Sequence, residues 1–183
     1  MKSRLPKLVP LFNQAEEKYG ILWTLLAAQA HQESHWNRRA KSPTGVRGIM
    51  MLILPTAKEM RVESRLNAEQ SITGGARYLS QLEARIADTV KREDRWWYGL
   101  AVYNAGMGHL HDARSLATDL DLDPDNRRDL KGVLSLLAQK KHYQELRYGY
   151  ARGAEPVSYV GQIRNYQNIL RPQIARKKGA HAG

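Results

Sequence analysis

Glu33 stands just beyond the apolar stretch Ile21–Ala30 and directly before Ser34, His35, Trp36 and Asn37. A carboxyl group held against apolar surface resists ionising and can serve as a general acid near neutral pH. The steps from Leu22 to Leu26, Gln29 and Glu33 put the carboxylate on one face of a helix, in line with a core-facing stripe and at the C-terminal end. The helix dipole is negative there and opposes a second negative charge. Glu33 is therefore the candidate acid, and it is expected to titrate above an ordinary glutamate. Taken alone, the same residue also reads as a solvated side chain in a fraying last turn. No Asp or Glu occurs from Ser34 to Leu54, so the following loop offers no second carboxylate to serve beside Glu33 as base or nucleophile.

Other reactive side chains offer weaker chemistry. Ser34 has no Gly-x-Ser-x-Gly elbow around it, which argues against a serine nucleophile. His31 and His35 lie four apart, as metal ligands on a helix do, but a zincin needs Glu directly after the first His. Glu33 is two positions on, about 200° round the helix and pointing away from the pair. His109 and His111 supply no evident third ligand, so packing or polar histidines are expected, with no metal and no organic cofactor. Asp121–Asn126 alternates acids but lacks the Gly and Glu of an EF-hand loop, and reads as a turn. A cysteine count of 0 removes thiolate catalysis, disulfides and cysteine zinc sites together.

The frame for these residues is helix after helix. Leu5–Tyr19 reads as the first, with Pro6 and Pro10 confined to its start. Ile21–His35 follows as a helix buried on most sides. Lys41–Leu54, with Pro43, Gly45 and Gly48, reads as an ordered loop or short extended hairpin. Pro55 starts another helix. Asn67 caps a helix running to about Ala87, within which Gly74 and Gly75 permit close packing. Arg95–Ala105, His109–Leu120, Arg128–Gln139, His142–Arg152 and Glu155–Leu170 complete the set. The fold class is mainly α, with one short irregular or extended segment and no repeat. One domain over residues 1–170 is expected, then a disordered basic tail over 171–183.

The chain has 183 residues, 42% hydrophobic and 26% charged, which suits one globular domain with a real core. No apolar run approaches the roughly 20 residues needed to span a bilayer. The opening Met1–Lys7 has no apolar core of a secretory signal; if the chain acts outside the cytoplasm, an excised domain or another delivery route is expected. The net charge of +11 asks for a polyanionic environment. Another anionic polymer or an anionic membrane surface fits it as well as nucleic acid does. No zinc-finger, RNP or basic-zipper pattern appears, and no nucleic acid partner is expected.

Three ordered motifs, and a fourth near the C-terminus, carry a family resemblance. Glu33-Ser34, Gly48-Ile49-Met50-Met51, Ala101-Val102-Tyr103-Asn104-Ala105-Gly106 and Glu155-Pro156-Val157-Ser158-Tyr159-Val160 resemble the catalytic domain of lytic transglycosylases of the soluble type, a goose-lysozyme-like fold. The resemblance runs from about Leu5 to about Leu170. The wording around Glu33, Ser42–Gly48 and Tyr148–Gly153 looks most like the membrane-bound F-type branch. Two departures stand out: Met51 replaces the family's usual Gln, and Pro156 stands where Thr is common.

The resemblance implies a peptidoglycan lytic transglycosylase, periplasmic or outer-membrane associated and monomeric. Glu33 would be the catalytic residue. Ser34, Gly48, Met50, Met51, Tyr103, Asn104 and Tyr159 would bind substrate. Ser34 would orient Glu33 or the sugar N-acetyl group. Asn104 would orient the N-acetyl group or stabilise positive charge, Tyr103 would line the groove, and Tyr159 would reach towards Glu33. Met50 and Met51 read as apolar surface under the sugars or as core filler. With one acid, Glu33 would act as acid and then base, giving a 1,6-anhydromuramoyl product. A goose-type muramidase, a weakly catalytic peptidoglycan-binding domain and a cationic nucleic-acid binder are the rival readings.

Overall fold

The computed structural model of the chain describes residues 4–172. Nine helices form among them: α1 Leu5–Tyr19, α2 Trp23–Ser34, α3 Leu54–Glu59, α4 Ala68–Ala84, α5 Arg92–Ala105, α6 Met107–Asp119, α7 Arg127–Leu136, α8 Lys140–Tyr143 and α9 Ala154–Leu170. Extended structure among the described residues is confined to two isolated antiparallel bridges, Lys41 with Arg47 and Arg47 with Leu52. The chain is mainly α, and Lys41–Leu54 is the short extended segment expected. The basic tail lies outside the described residues except for Arg171 and Pro172.

The chain divides into two compact units. Of the described residues, the first draws on 4–80 and 162–172, the second on Gln81–Gly161. The dividing points fall inside α4 and α9.

In the first unit α1 packs on α2. Gly20, in left-handed backbone at φ 68°, ends α1 and donates its N–H to the Glu16 carbonyl, a conformation that glycine reaches without a Cβ penalty. Glu16 then reaches forward, and its Oε2 accepts the Trp23 N–H at 3.0 Å. This satisfies an orphan donor that Leu22, with no capping side chain, leaves open. Phe12, Ile21, Leu26, Ile49, Met50, Met60, Ile72, Leu79 and Ile163 are fully buried. Each such side chain contributes about 1.5–3 kcal/mol by leaving water. Gly74 and Gly75 are the close-packing positions expected. A Cβ on Gly74 would lie 2.2 Å from Val62 Cγ2, and one on Gly75 would lie 2.7 Å from Met50 Cβ.

In the second unit α5 packs on α6 and α6 on α7. Arg95 ties the end of α4 to α5 through Glu83 Oε1 at 2.6 Å and the Glu83 carbonyl at 3.0 Å. Asn126 caps α7 by accepting the N–H groups of Arg128 and Asp129.

Four expectations need correcting. Pro10 lies inside α1 and is tolerated because burial of Leu5, Phe12 and Ala15 offsets the lost backbone bond. Leu22 is 47% exposed and precedes α2, so the buried stripe leading to Glu33 begins at Leu26. α5 starts at Arg92 rather than Arg95, its first turn carrying Glu93 and Asp94 at the positive end of the dipole. The helix expected over His142–Arg152 does not form, and α8 ends at Tyr143. Tertiary partners take that segment's backbone donors. Tyr148 N–H goes to Asp112 Oδ2 at 2.9 Å, and Ala151 N–H goes to the Leu137 carbonyl at 3.2 Å. Gly149, at φ 69°, makes the bend between them.

Candidate active site

The end of α2 is fixed by an uncommon backbone. His35 and Trp36, neither of them glycine, have φ values of 50° and 57°. Two consecutive left-handed residues cost energy and persist only where the surroundings hold them. The hold is visible. Trp36 is buried, and its Nε1–H donates to the Ala27 carbonyl at 2.8 Å. The His35 backbone N–H bonds back to the His31 carbonyl at 2.8 Å. Glu33 therefore sits two residues before a locked reversal rather than in a fraying turn. It is half-buried, among buried neighbours Ala30 and Ser34.

Ser34 is buried, and its hydroxyl lies 3.1 Å from the Ala30 carbonyl and 2.9 Å from the Ile49 carbonyl. The hydroxyl proton is thus spent on backbone, and the bond to Ile49 ties the loop to the helix beside Glu33. Gly48 lets the same loop pack closely on the backbone at Arg65. Its φ is 91°, and a Cβ there would lie 2.0 Å from the Arg65 carbonyl oxygen. Met50 is fully buried against Gly75, and its N–H donates to Ser71 Oγ at 3.2 Å. Met50 thus supports the loop from beneath, the core-filler reading of the two. Met51 is half-buried at φ 45°, another strained non-glycine position.

His31 is buried, with its ring centroid 3.6 Å from Tyr166, 4.6 Å from Trp36 and 4.8 Å from His35. Neither ring nitrogen finds a hydrogen-bond partner among the described residues. Burial, and then the charge of His35, hold its pKa below the usual 6.5, so the ring is neutral near pH 7. The imidazole acts as a packing aromatic behind the Glu33 turn.

The remaining expected residues belong to the second unit. Tyr103 and Asn104 are half-buried in the last turn of α5, and Tyr159 is buried on α9. Asn104 lines a cavity of about 340 Å³ together with Ala105, His109, Tyr150, Arg152 and Glu155. His109 Nδ1 is buried there without a partner among the described residues. Arg152 Nη1 faces Glu155 Oε2 at 3.5 Å on the exposed rim. From the sequence, His109 is weighed only as a metal ligand, and Tyr150 and Arg152 only as part of the Tyr148–Gly153 wording, none of them as a neighbour of Asn104. Gly108 and Gly153 carry the signal that could have found them, because both mark close approaches. A Cβ on Gly108 would lie 2.6 Å from the Tyr148 ring, and one on Gly153 would lie 1.8 Å from the Leu134 carbonyl oxygen. These contacts bring Tyr148–Gly153 against α6 and α7.

Comparison with known proteins adds family context to this geometry. The family described as Transglycosylase SLT domain matches residues 10–125. A protein of Hahella chejuensis called membrane-bound lytic murein transglycosylase F is 57% identical over 170 residues, which is 93% of this chain and 33% of that protein. Its namesake in Saccharophagus degradans is 54% identical, over 93% of this chain and 34% of its own length. The chain thus spans about a third of the length of these curated relatives. Among solved structures, the 70 kDa soluble lytic transglycosylase of Escherichia coli superposes with a TM-score of 0.67 at 21% identity, covering 90% of this chain and 24% of that one. The shared fold is that protein's lysozyme-like helical one.

Proposed function

The chain belongs to the transglycosylase SLT domain family, and from that premise we propose that it is a peptidoglycan lytic transglycosylase in which Glu33 is acid and then base. Protonated Glu33 donates to the oxygen between N-acetylmuramic acid and N-acetylglucosamine as the C1–O bond breaks. Dipoles of the site and the substrate's own N-acetyl carbonyl support the positive centre. Ionised Glu33 then takes the proton of the muramoyl C6 hydroxyl while that oxygen bonds to C1. The product is a 1,6-anhydro sugar, and no water is consumed. One group serves both steps, as microscopic reversibility allows. The chemistry calls for no metal or organic cofactor.

The observation that supports this reading most is the locked end of α2. Trp36 and Ser34 hold the residues around Glu33 through the Ala27 and Ile49 carbonyls, the rigid support that a proton donor needs. Ser34 is a positioning residue here. Gly48, Met50 and Met51 shape the loop, while Tyr103, Asn104 and Tyr159 bind substrate. The glycan strand is the partner, the working state is a monomer, and the site of action is periplasmic or at the outer membrane.

Mass spectrometry of a peptidoglycan digest tests the reaction. Anhydromuropeptides support the transglycosylase, reducing muropeptides support a muramidase, and binding without release supports a weakly catalytic binding domain.

A further inference from the structure

One built feature of the first unit has no part in this chemistry. An open depression of about 610 Å³ is lined in part by Arg47, Leu54, Lys58, Arg61, Arg65 and Leu66, with Glu63 its only acid. None of the four cations makes an ion pair among the described residues. Arg65 is fixed at the wall, its Nη1 donating to the carbonyls of Leu52 at 2.9 Å and Gly45 at 3.5 Å. The Arg47 backbone is held by bridges to Lys41 and Leu52. Arg61 sits in left-handed backbone at φ 55°, uncommon for a residue with a long side chain. Lys58 is exposed on α3.

Apolar surface borders these charges. Leu54 is 67% exposed, Ile53 50% and Leu66 39%. Apolar patches rimmed by polar groups mark interaction surfaces. A soluble polyanion would use the cations and leave these aliphatic side chains in water. A bilayer bearing anionic lipid uses both, since phosphates meet the cations while aliphatic groups enter the headgroup–acyl boundary. We propose that α3 and the segments flanking it dock on an anionic phospholipid surface, with lipid phosphate at Lys58 and Arg61 and with Ile53 and Leu54 inserted. This surface does not depend on the role given to Glu33.

Vesicle flotation of the full chain tests it, comparing phosphatidylglycerol-containing with pure phosphatidylcholine vesicles at about 0.1 M salt. The chain should float with the anionic vesicles only. Each cation near the surface is worth roughly fivefold in partitioning, so Lys58→Gln with Arg61→Gln should bind about 25-fold more weakly. Ile53→Ser with Leu54→Ser should lose about tenfold or more. Arg85→Gln with Lys91→Gln removes the same charge from exposed positions of the second unit and should change binding little. All variants should match the wild type in thermal unfolding and in cleavage of soluble glycan fragments.

Equal affinity of the wild type for both vesicle types would overturn the proposal. Equal loss in the Arg85/Lys91 pair would reduce the effect to diffuse charge and overturn it as well. Loss through Lys58 and Arg61 but not through Ile53 and Leu54 would point to a soluble anion, and a titration with inorganic phosphate would then register it. Loss of glycan cleavage in the pocket variants would place these residues on the sugar-binding face instead.

Discussion

Gly48→Ala and Gly45→Ala form a matched pair that tests whether the loop beside Glu33 depends on a close backbone approach. Both glycines occupy the left-handed region, at φ 91° and 80°. An alanine at either position pays about 1–2 kcal/mol of backbone strain. The space around them differs. A Cβ at Gly45 meets nothing within 4 Å, whereas at Gly48 it would lie 2.0 Å from the Arg65 carbonyl oxygen and 3.1 Å from Ser71 Oγ. A carbonyl has no rotamer by which to escape. Arg65 is anchored to the Leu52 carbonyl, and Ser71 is already accepting from Met50, so forced repacking adds about 1–3 kcal/mol. The expected losses are about 1–2 kcal/mol for Gly45→Ala and about 2–5 kcal/mol for Gly48→Ala. At about 2–4 °C per kcal/mol for a chain of this size, Gly48→Ala should melt about 2–12 °C below Gly45→Ala. Thermal unfolding followed by circular dichroism, checked by urea titration at constant m, measures the gap. Equal melting temperatures would refute the claim that the Arg65 carbonyl dictates glycine at 48. Turnover measured where both remain folded should fall in Gly48→Ala alone, because the loop that meets Ser34 must shift.

Glu33→Gln keeps shape and removes the transferable proton; release of muropeptides should fall by about 10²–10⁴-fold with glycan binding retained, and a variant keeping a tenth of the rate would end the single-acid mechanism. The activity of the wild type should decline on the alkaline side as the acid loses its proton, so a rate still climbing through about pH 8 would assign the acid elsewhere. Met51→Gln should cost less than about 1.5 kcal/mol, since Met51 is half-buried, and should change sugar-oligomer affinity more than stability; a large melting shift with unchanged affinity would make Met51 a core residue. His31, whose pKa is lowered in the folded chain, adds stability above its unfolded value of 6.5, and that stability is lost as pH falls below it, because only the unfolded chain takes up the proton. His31→Leu should therefore flatten the decline in unfolding free energy between pH 7.5 and pH 5.5, and an unchanged slope would show that the wild-type ring is protonated in place.

The helical class and most element positions were legible because apolar period, caps and glycine punctuation act over a few residues. Leu5–Tyr19 and the cap at Asn67 needed no distant information, and Glu33 stood out because its neighbours in sequence make its environment. The failure at His142–Arg152 has the opposite origin. Its backbone donors are claimed by Asp112 and by the Leu137 carbonyl, groups far off in sequence, so no local propensity could foretell an irregular course. The same holds for the site. Sequence spacing determined which residues could do chemistry and that Met50 follows a turn glycine. Only tertiary structure decided that Met50 faces Gly75, that Ser34 spends its proton on Ile49, and that His109 and Tyr150 share a cavity with Asn104. Those outcomes depend on close approaches between segments 15 to about 45 residues apart, a distance over which periodicity carries no information and only packing decides.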